Sequence, residues 1–128
     1  MNYWRLGTPD GDRLAKALDE GAWRSSKESD LRPLQPEDRG VLFSLDKKRQ
    51  GYWAVARVAR GVYGVEDSAQ EYMIDLEYTH VRKDLLPSSV VRALLQKARL
   101  RLNYPPLFVV QLSAPEFQVM ARMTENTP

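Results

Sequence analysis

Residues 40–63 read GVLFSLDKKRQGYWAVARVARGVY and contain two apolar runs separated by a polar loop. The runs, 41–45 and 52–62, are rich in residues typical of strands. The loop between them, 46–51, ends in glycine and has a length that closes a hairpin with a bulge or a longer turn. Both arms are apolar on both faces, which is typical of strands covered on both sides in a small barrel or beneath helices. The stretch therefore predicts a central hairpin around which the chain folds.

The length and composition exclude several classes of protein. The 128 residues suit one domain with its own core. The absence of cysteine excludes disulfides, thiolate zinc sites and a cysteine nucleophile, and a single histidine, His80, excludes a histidine-rich metal site. No apolar run approaches the roughly 18 residues of a membrane span, and residues 1–5 lack the layout of a signal peptide. We therefore expect a soluble, cytoplasmic protein.

The positive charge is concentrated in one segment. The formal net charge is only +2, yet residues 82–101 hold six basic residues and a single acid, Asp84. Such a segment is typical of a protein that binds a polyanion, although a solvated helix face is the plain alternative. We expect phosphate contacts, which supply affinity without sequence information, from Arg82, Lys83, Arg92, Lys97, Arg99 and Arg101, joined by Lys47, Lys48 and Arg49 of the hairpin loop.

Three helices are predicted, each with a start signal. The expected N-caps are Thr8 or Asp10 for the first, Ser88 or Ser89 for the second, and Ser113, in a capping box with Glu116, for the third. The first helix should end near Glu20, with Gly21 in the left-handed cap position. We expect one domain over residues 1–123, with 124–128 as the start of a linker.

Further strands are predicted at residues 3–6, 72–81 and 107–112, and the 72–81 segment alternates in the manner of a half-buried strand. Residues 22–26 and 64–70 are expected to be loops. The resulting order β-α-β-β-β-α-β-α predicts an α+β fold, a small mixed β-barrel with flanking helices.

The sequence contains no catalytic constellation. His80, the sole candidate base for a nucleophile triad, lies on the alternating strand, where a structural role is favoured. No pair of acids has a context that would separate a raised pKa from a lowered one, and no glycine-rich phosphate loop follows a strand. We therefore expect a binding protein without a cofactor.

The aromatic residues supply the remaining functional signal. Trp4 and Trp53 are expected in the core, but Trp23 follows a helix C-cap, where an indole is not needed to fill a helix stripe. A flat base stacked on an aromatic face gains about 1–3 kcal/mol. A methyl group on that base adds apolar area and favours a dry pocket.

Four segments resemble YTH domains, which read N6-methyladenine. Residues 16–26 resemble the family's helix-to-tryptophan segment, and residues 40–45 with 51–58 resemble its hairpin. Residues 74–87 resemble the long strand and 91–94 the helix that follows. The match covers most of residues 3–123, and the related EVE domains of the PUA-like superfamily share this layout.

The resemblance implies a PUA-like barrel with a cage that encloses one modified base. Trp23 matches the first cage tryptophan, and Ser25 is expected to contact the base partly through its main chain. The other cage tryptophans fall where residues 65–70 contain no aromatic residue, so Tyr63 and Tyr72, which border that loop, are the candidate substitutes. The acid that reads a ring edge is expected to be Asp10 or Asp12.

The resemblance also implies a function and a larger system to which the chain belongs. We expect a reader of a methylated base that captures the flipped-out base in an aromatic cage, with N6-methyladenine favoured as the base and DNA favoured over RNA. The expected context is the N-terminal recognition domain of a McrBC-type modification-dependent restriction system with further domains. The alternatives are a YTH-type reader of RNA, an EVE-type reader of modified cytosine, and a protein-interaction module with an idle pocket. The sequence does not separate RNA from DNA, because 2′-hydroxyl contacts leave no motif.

Overall fold

The computed structural model describes residues 1–48, 50–65, 68–105 and 107–127, with residues 68–70 described by their main chain alone. The elements are β1 (Tyr3–Thr8), α1 (Gly11–Glu20), β2 (Ala22–Ser25), α2 (Glu28–Leu31), β3 (Arg39–Ser44), β4 (Gly51–Val65), β5 (Ser68–Leu86), α3 (Ser88–Lys97), β6 (Val109–Leu112) and α4 (Ala114–Asn126). Among the described residues, no helix has both the length and the apolar character needed to span a membrane.

The strands form one six-stranded sheet in the order β2-β5-β4-β3-β1-β6. β1 pairs with β3 in parallel, and every other pairing is antiparallel, so the sheet is mixed. The sheet curls into a half-barrel with helices on both sides. The predicted α+β class, with mixed strands and flanking helices, is confirmed.

The predicted central hairpin is confirmed as β3 and β4, and both of its faces are buried. Leu42 and Ala54 face a first core that also holds Ala17 of α1 and Leu31 of α2. The alternate positions face a second core beneath α3 and α4, which contains Val41, Phe43, Val55, Val91, Leu95, Phe117 and Met120. Each fully buried aliphatic or aromatic side chain contributes about 1.5–3 kcal/mol. This two-sided burial explains why the hairpin lacks a polar face.

The helix ends agree with the local signals. The side chain of Asp10 accepts a hydrogen bond from the Arg13 N–H (2.8 Å) at the start of α1, and Gly21 ends the helix with φ 62°. Ser113 and Glu116 form the predicted capping box of α4. The prediction for α3 is wrong: Pro87 occupies its N-cap position, where neither Ser88 nor Ser89 provides a side-chain cap.

Two segments predicted as loops contain strand residues. Residues 22–25 form β2, because the curled sheet offers them the edge of β5, with Trp23 opposite Ile74. In the predicted loop 64–70, residues 64–65 belong to β4 and residues 68–70 to β5, and residues 66–67 lie outside the described residues. Several register shifts keep these long strands paired while they bend.

Two boundaries near the C-terminus also differ from the prediction. The strand predicted over 107–112 begins at Val109, and Leu107 and Phe108 before it are 57% and 45% exposed. The linker predicted from residue 124 is incorrect at its start, since α4 continues to Asn126. Thr124 is fully buried and donates its hydroxyl to the Met120 carbonyl (2.7 Å), which satisfies this polar side chain inside the fold.

Candidate functional site

A cleft of about 300 Å³ lies on the open side of the half-barrel. β1 lies next to one edge of the sheet and β2 forms the other edge, and α1 connects them across the face of the sheet that holds the first core. The cleft is lined by Gly7 and Thr8 at the end of β1, by residues 22–25 of β2, by the inner face of α1 and by Phe108. One crossing helix therefore brings both ends of the sheet to a single concave surface.

Two aromatic side chains, Trp23 and Phe108, line this cleft. Trp23 is only 4% exposed, because it belongs to the first core, against which Leu14 also packs. Phe108 is 45% exposed at the rim, and its carbonyl accepts a hydrogen bond from the Gly7 N–H (2.7 Å). The main chain at Phe108 is thus held in place while its ring is accessible, so a flat ligand in the cleft can contact this ring.

A serine and a carboxylate supply polar atoms to the cleft. The Ser25 hydroxyl donates to Asp30 Oδ2 (3.2 Å) and accepts a hydrogen bond from the Lys27 N–H (3.1 Å). All three residues line the cleft. The Asp30 carboxylate keeps further acceptor capacity, because each carboxylate oxygen has two lone pairs.

The outer edge of β2 presents main-chain groups to the same cleft. The Gly21 carbonyl accepts a hydrogen bond from the Leu76 N–H (2.8 Å), so Gly21 and Leu76, which lie opposite each other, form a hydrogen-bonded pair of the ladder. In an antiparallel ladder such pairs alternate with pairs whose N–H and C=O groups point away from the partner strand. The register therefore directs the main-chain groups of Ala22 and Arg24 toward the open edge, where edge strands bind ligands and other chains.

One cation of the cleft is neutralised inside the protein. Arg24 donates to Glu20 Oε1 (3.0 Å) and Glu71 Oε2 (2.8 Å), which links β2 to α1 and β5. The hydrogen bond with Glu20 is the largest influence that raises the pKa of Arg24. The hydrogen bonds from Arg24 lower the pKa of each carboxyl below 4.5. This cluster is structural. Its two carboxylates outnumber its one guanidinium, so Arg24 contributes no free positive charge to the cleft.

Three other cations line the cleft with more freedom. Arg13 has a long 3.5 Å contact with Glu71 and an exposed side chain. Lys16 and Lys27 are exposed and form no ion pair with any residue that the structure describes. The mouth of the cleft is therefore positively charged and suited to an anion.

The structure separates the aromatic residues that the sequence singled out. Trp23 and Ser25 line the cleft, but Tyr63 and Tyr72 do not. Tyr72 is paired with Ser25 and is half-buried against the first core. Trp23 is paired with Ile74, and Tyr63 is paired with Met73, the residue before Ile74. Because successive side chains of a strand point to opposite faces, Tyr63 lies on the opposite face of the sheet from Trp23.

Tyr63 has its own partners on that face. Its hydroxyl donates to the Asp75 carboxylate, and the Arg60 guanidinium lies 3.8 Å from its ring centroid. Burial, with this hydrogen bond, raises the pKa of Tyr63. Neither Asp10, which caps α1, nor Asp12, in its exposed first turn, is among the residues that line the cleft, whereas Asp30 is.

The predicted phosphate contacts lie in three places. Arg82 and Arg101 hold the fold together: Arg82 donates to the carbonyls of Asp84 and Thr124, and Arg101 donates to Glu116 Oε2 (3.0 Å). The remaining cations of the basic segment are exposed, and those on or just after α3 lie across the sheet from the cleft. The exposed cations are Lys83 on β5, Arg92 and Lys97 on α3, and Arg99 just after it.

The hairpin loop lies at the same end of the sheet as the cleft. Thr8, which lines the cleft, is the register partner of Ser44, the last residue of β3. Lys47 and Lys48 follow within the next turn and are exposed. Arg49 lies outside the described residues.

Sequence reasoning missed Phe108, Asp30 and the cations of the cleft. Phe108 was assigned to a buried strand because residues 107–112 form one apolar run, although the prolines before that run are a loop signal. The sequence signal for Arg13 and Lys16 was their i, i+3 spacing, which places both on one face of the predicted first helix.

The comparisons with known proteins identify the fold. No protein-family model and no curated protein matches the chain. A hypothetical protein from Leishmania major has a similar structure, with TM-score 0.72, 15% identity, and coverage of 97% of this chain and 94% of that one. Human THYN1, solved in complex with DNA containing 5-methylcytosine, has TM-score 0.70, 13% identity and full coverage of both chains. The Mmi1 YTH domain has TM-score 0.64, 8% identity, and coverage of 96% and 94%.

Identities this low establish the fold and nothing finer. The chain shares the α+β fold of human THYN1 and of the Mmi1 YTH domain, in agreement with the fold that the sequence resemblance implied.

Proposed function

We propose that this protein is a non-enzymatic reader of a methylated base in nucleic acid and that it seats one flipped-out base in the cleft between Trp23 and Phe108. The observation that carries the proposal is the cleft itself, in which aromatic side chains, outward-facing main-chain groups and cations without ion-pair partners meet. Each of these matches one chemical part of a nucleotide: its ring face, its pairing edge and its phosphates.

The dimensions favour a single base. A volume of about 300 Å³ is at the small end of ligand sites in proteins. Because the cleft is concave and bounded by α1, a base still stacked in a duplex cannot enter it. Extrusion costs a few kcal/mol, which stacking and hydrogen bonds to the freed edge offset.

The polar groups favour a base with an exocyclic amino group. The Asp30 carboxylate and the outward carbonyls of Ala22 and Arg24 are acceptors. Adenine, cytosine and guanine each present an amino donor on the pairing edge, whereas thymine and uracil do not, so these acceptors favour the first three bases. The sequence resemblance favours N6-methyladenine, and the THYN1 complex with 5-methylcytosine DNA makes that base the second candidate.

The phosphates are assigned to the cations at the mouth of the cleft. Lys16, Lys27 and Arg13 line it, and Lys47 and Lys48 lie at the same end of the sheet. Phosphate contacts of this kind weaken with salt and do not depend on the base. A strand seated at the cleft would reach the cations of α3 only by wrapping around the sheet.

The biological context is a further part of the proposal. We favour DNA over RNA as the substrate and propose that this chain is a recognition domain of a McrBC-type modification-dependent restriction system, as the sequence resemblance suggests. The cleft itself serves equally for RNA.

A titration of matched oligonucleotides tests the proposal. DNA and RNA of one sequence, unmodified or carrying N6-methyladenine or 5-methylcytosine, single-stranded or duplex, are titrated by fluorescence anisotropy. Dry contact with one methyl group is worth about 1 kcal/mol, so we expect roughly fivefold tighter binding of one modified strand. Equal affinity for modified and unmodified strands of every type would refute the reader and leave a module with an idle pocket.

A further inference from the structure

A second groove lies between α3 and α4, on the opposite side of the sheet from the cleft. We call it the α3–α4 groove, and its volume is about 420 Å³. Its apolar lining consists of Leu94, Ala98, Leu100, Pro115, Val119 and Met123. It shares no lining residue with the cleft, so it needs an explanation of its own.

The core uses only part of the apolar lining of this groove. Leu100, Val119 and Met123 are partly buried against the second core, whereas Leu94 is not among the residues packed there. One side of α4 is already buried in the second core through Phe117 and Met120. Pro115, Val119 and Met123 follow one another at intervals of four residues and so form a separate line along the helix. On α3, Leu94 faces the groove and is 37% exposed. Val119 and Met123 are only half-buried and leave part of their surface in the groove beside Leu94, and accessible apolar surface of this kind is typical of a binding surface.

The charge of the groove is of one sign. Lys97 and Arg122 line it, no carboxylate does, and neither cation forms an ion pair with a residue in the described part of the chain. A ligand that carries acidic groups beside apolar ones would complement both parts of the surface.

These features favour a polypeptide over a nucleic acid. A sugar-phosphate backbone would use the two cations but would gain nothing from a floor of aliphatic side chains and Met123. The line from Pro115 to Met123 is about 12 Å long at 1.5 Å per residue, which corresponds to about two turns of a docked helix. Amphipathic helices bind such grooves through apolar anchors at i, i+3 or i+4, and i+7.

We infer that the α3–α4 groove docks an acidic amphipathic helix of a partner protein. The inference goes beyond base reading and does not depend on it. Because the two sites lie on opposite faces of the sheet, a partner can be held while nucleic acid occupies the cleft.

A designed peptide provides the probe. It is a helical peptide of about 15 residues with leucines at i, i+3 or i+4, and i+7 and glutamates at the other exposed positions. It is titrated into the uniformly ¹⁵N-labelled full chain, and we expect saturable shifts confined to the amide signals of α3 and α4. The double variant Lys97→Glu/Arg122→Glu should bind about fivefold or more weakly, by the usual magnitude of exposed charge pairs. Lys83→Glu, an exposed lysine outside the groove, is the matched control and should bind as the wild type does.

Three results would overturn the inference. One is an absence of saturable α3–α4 shifts with the peptide while the protein is folded by circular dichroism. Another is equal affinity for the same peptide with glutamine in place of glutamate, since charge complementarity would then be irrelevant. The third is displacement of the peptide by an unmodified DNA or RNA oligonucleotide that shifts the same signals. Phe108→Ala should keep full peptide affinity, so failure of the base-reading proposal is distinguishable from failure of this one.

Discussion

Replacing Phe108 by alanine tests the base cleft with little risk to the fold. The ring is 45% exposed, and the hydrogen bond that holds this segment uses the main-chain carbonyl of Phe108, which the substitution preserves. We expect the free energy of unfolding to change by about 1 kcal/mol or less, as for other partly exposed positions. Binding should lose the stacking of one base, about 1–3 kcal/mol, which corresponds to roughly 5- to 150-fold weaker affinity.

Leu107 provides a matched control for this experiment. It is the adjacent residue, apolar and 57% exposed, but it does not line the cleft. Both alanine variants are titrated by anisotropy against the modified oligonucleotide that the wild type binds best, and both are melted by circular dichroism. Leu107→Ala should bind as the wild type does. If Phe108→Ala also binds like the wild type, or if both variants lose affinity equally, the ring of Phe108 is not a wall of the base site.

Three other substitutions test the interior and its charges. Trp23→Ala should lower the free energy of unfolding by about 3–5 kcal/mol in urea melts, because the indole is 4% exposed; a cost below about 1 kcal/mol would contradict its place in the core. Arg24→Gln should flatten the decline of the melting temperature between about pH 6 and pH 3. Arg24 lowers the pKa values of Glu20 and Glu71 in the folded protein. The two carboxylates therefore contribute fully to stability above about pH 4.5, and this contribution is lost as the pH falls through their pKa values in the folded state. A pH profile of the melting temperature that Arg24→Gln leaves unchanged would argue against the cluster. Asp38→Ala should lower the free energy of unfolding by on the order of 3 kcal/mol. The Asp38 carboxylate is 3% exposed and accepts hydrogen bonds from one indole and two main-chain N–H groups. Denaturant titration compares this variant with the exposed control Asp19→Ala, and equal stability of the two would refute the role of Asp38.

The parts of the fold that the sequence predicted correctly depend on neighbours in the chain. The hairpin of β3 and β4 was visible because its residues are apolar on both faces, and the capping box at Ser113 was visible because its two partners are three residues apart. The strand state of residues 22–25 was not visible, because it depends on an edge of β5 nearly 50 residues away. The start of β6 at Val109 likewise depends on pairing with β1, which an apolar run by itself does not reveal.

The site divides in the same way. By itself, the sequence singled out Trp23 as a site residue and showed a resemblance to YTH and EVE domains. Its expectation that the core does not require this indole is wrong, because Trp23 is 4% exposed within the first core. Only the tertiary structure decided that Phe108 and Asp30 lie in the cleft with Trp23 and that Tyr63 does not. The reason is that the cleft joins the end of β1, the edge strand β2 and the segment before β6, which meet only because the sheet curls and α1 crosses its open side. The basic residues of α3 lie on the other side of the sheet from that cleft. Successive side chains of β3 point to opposite faces, so α1 packs on the first core and α3 on the second.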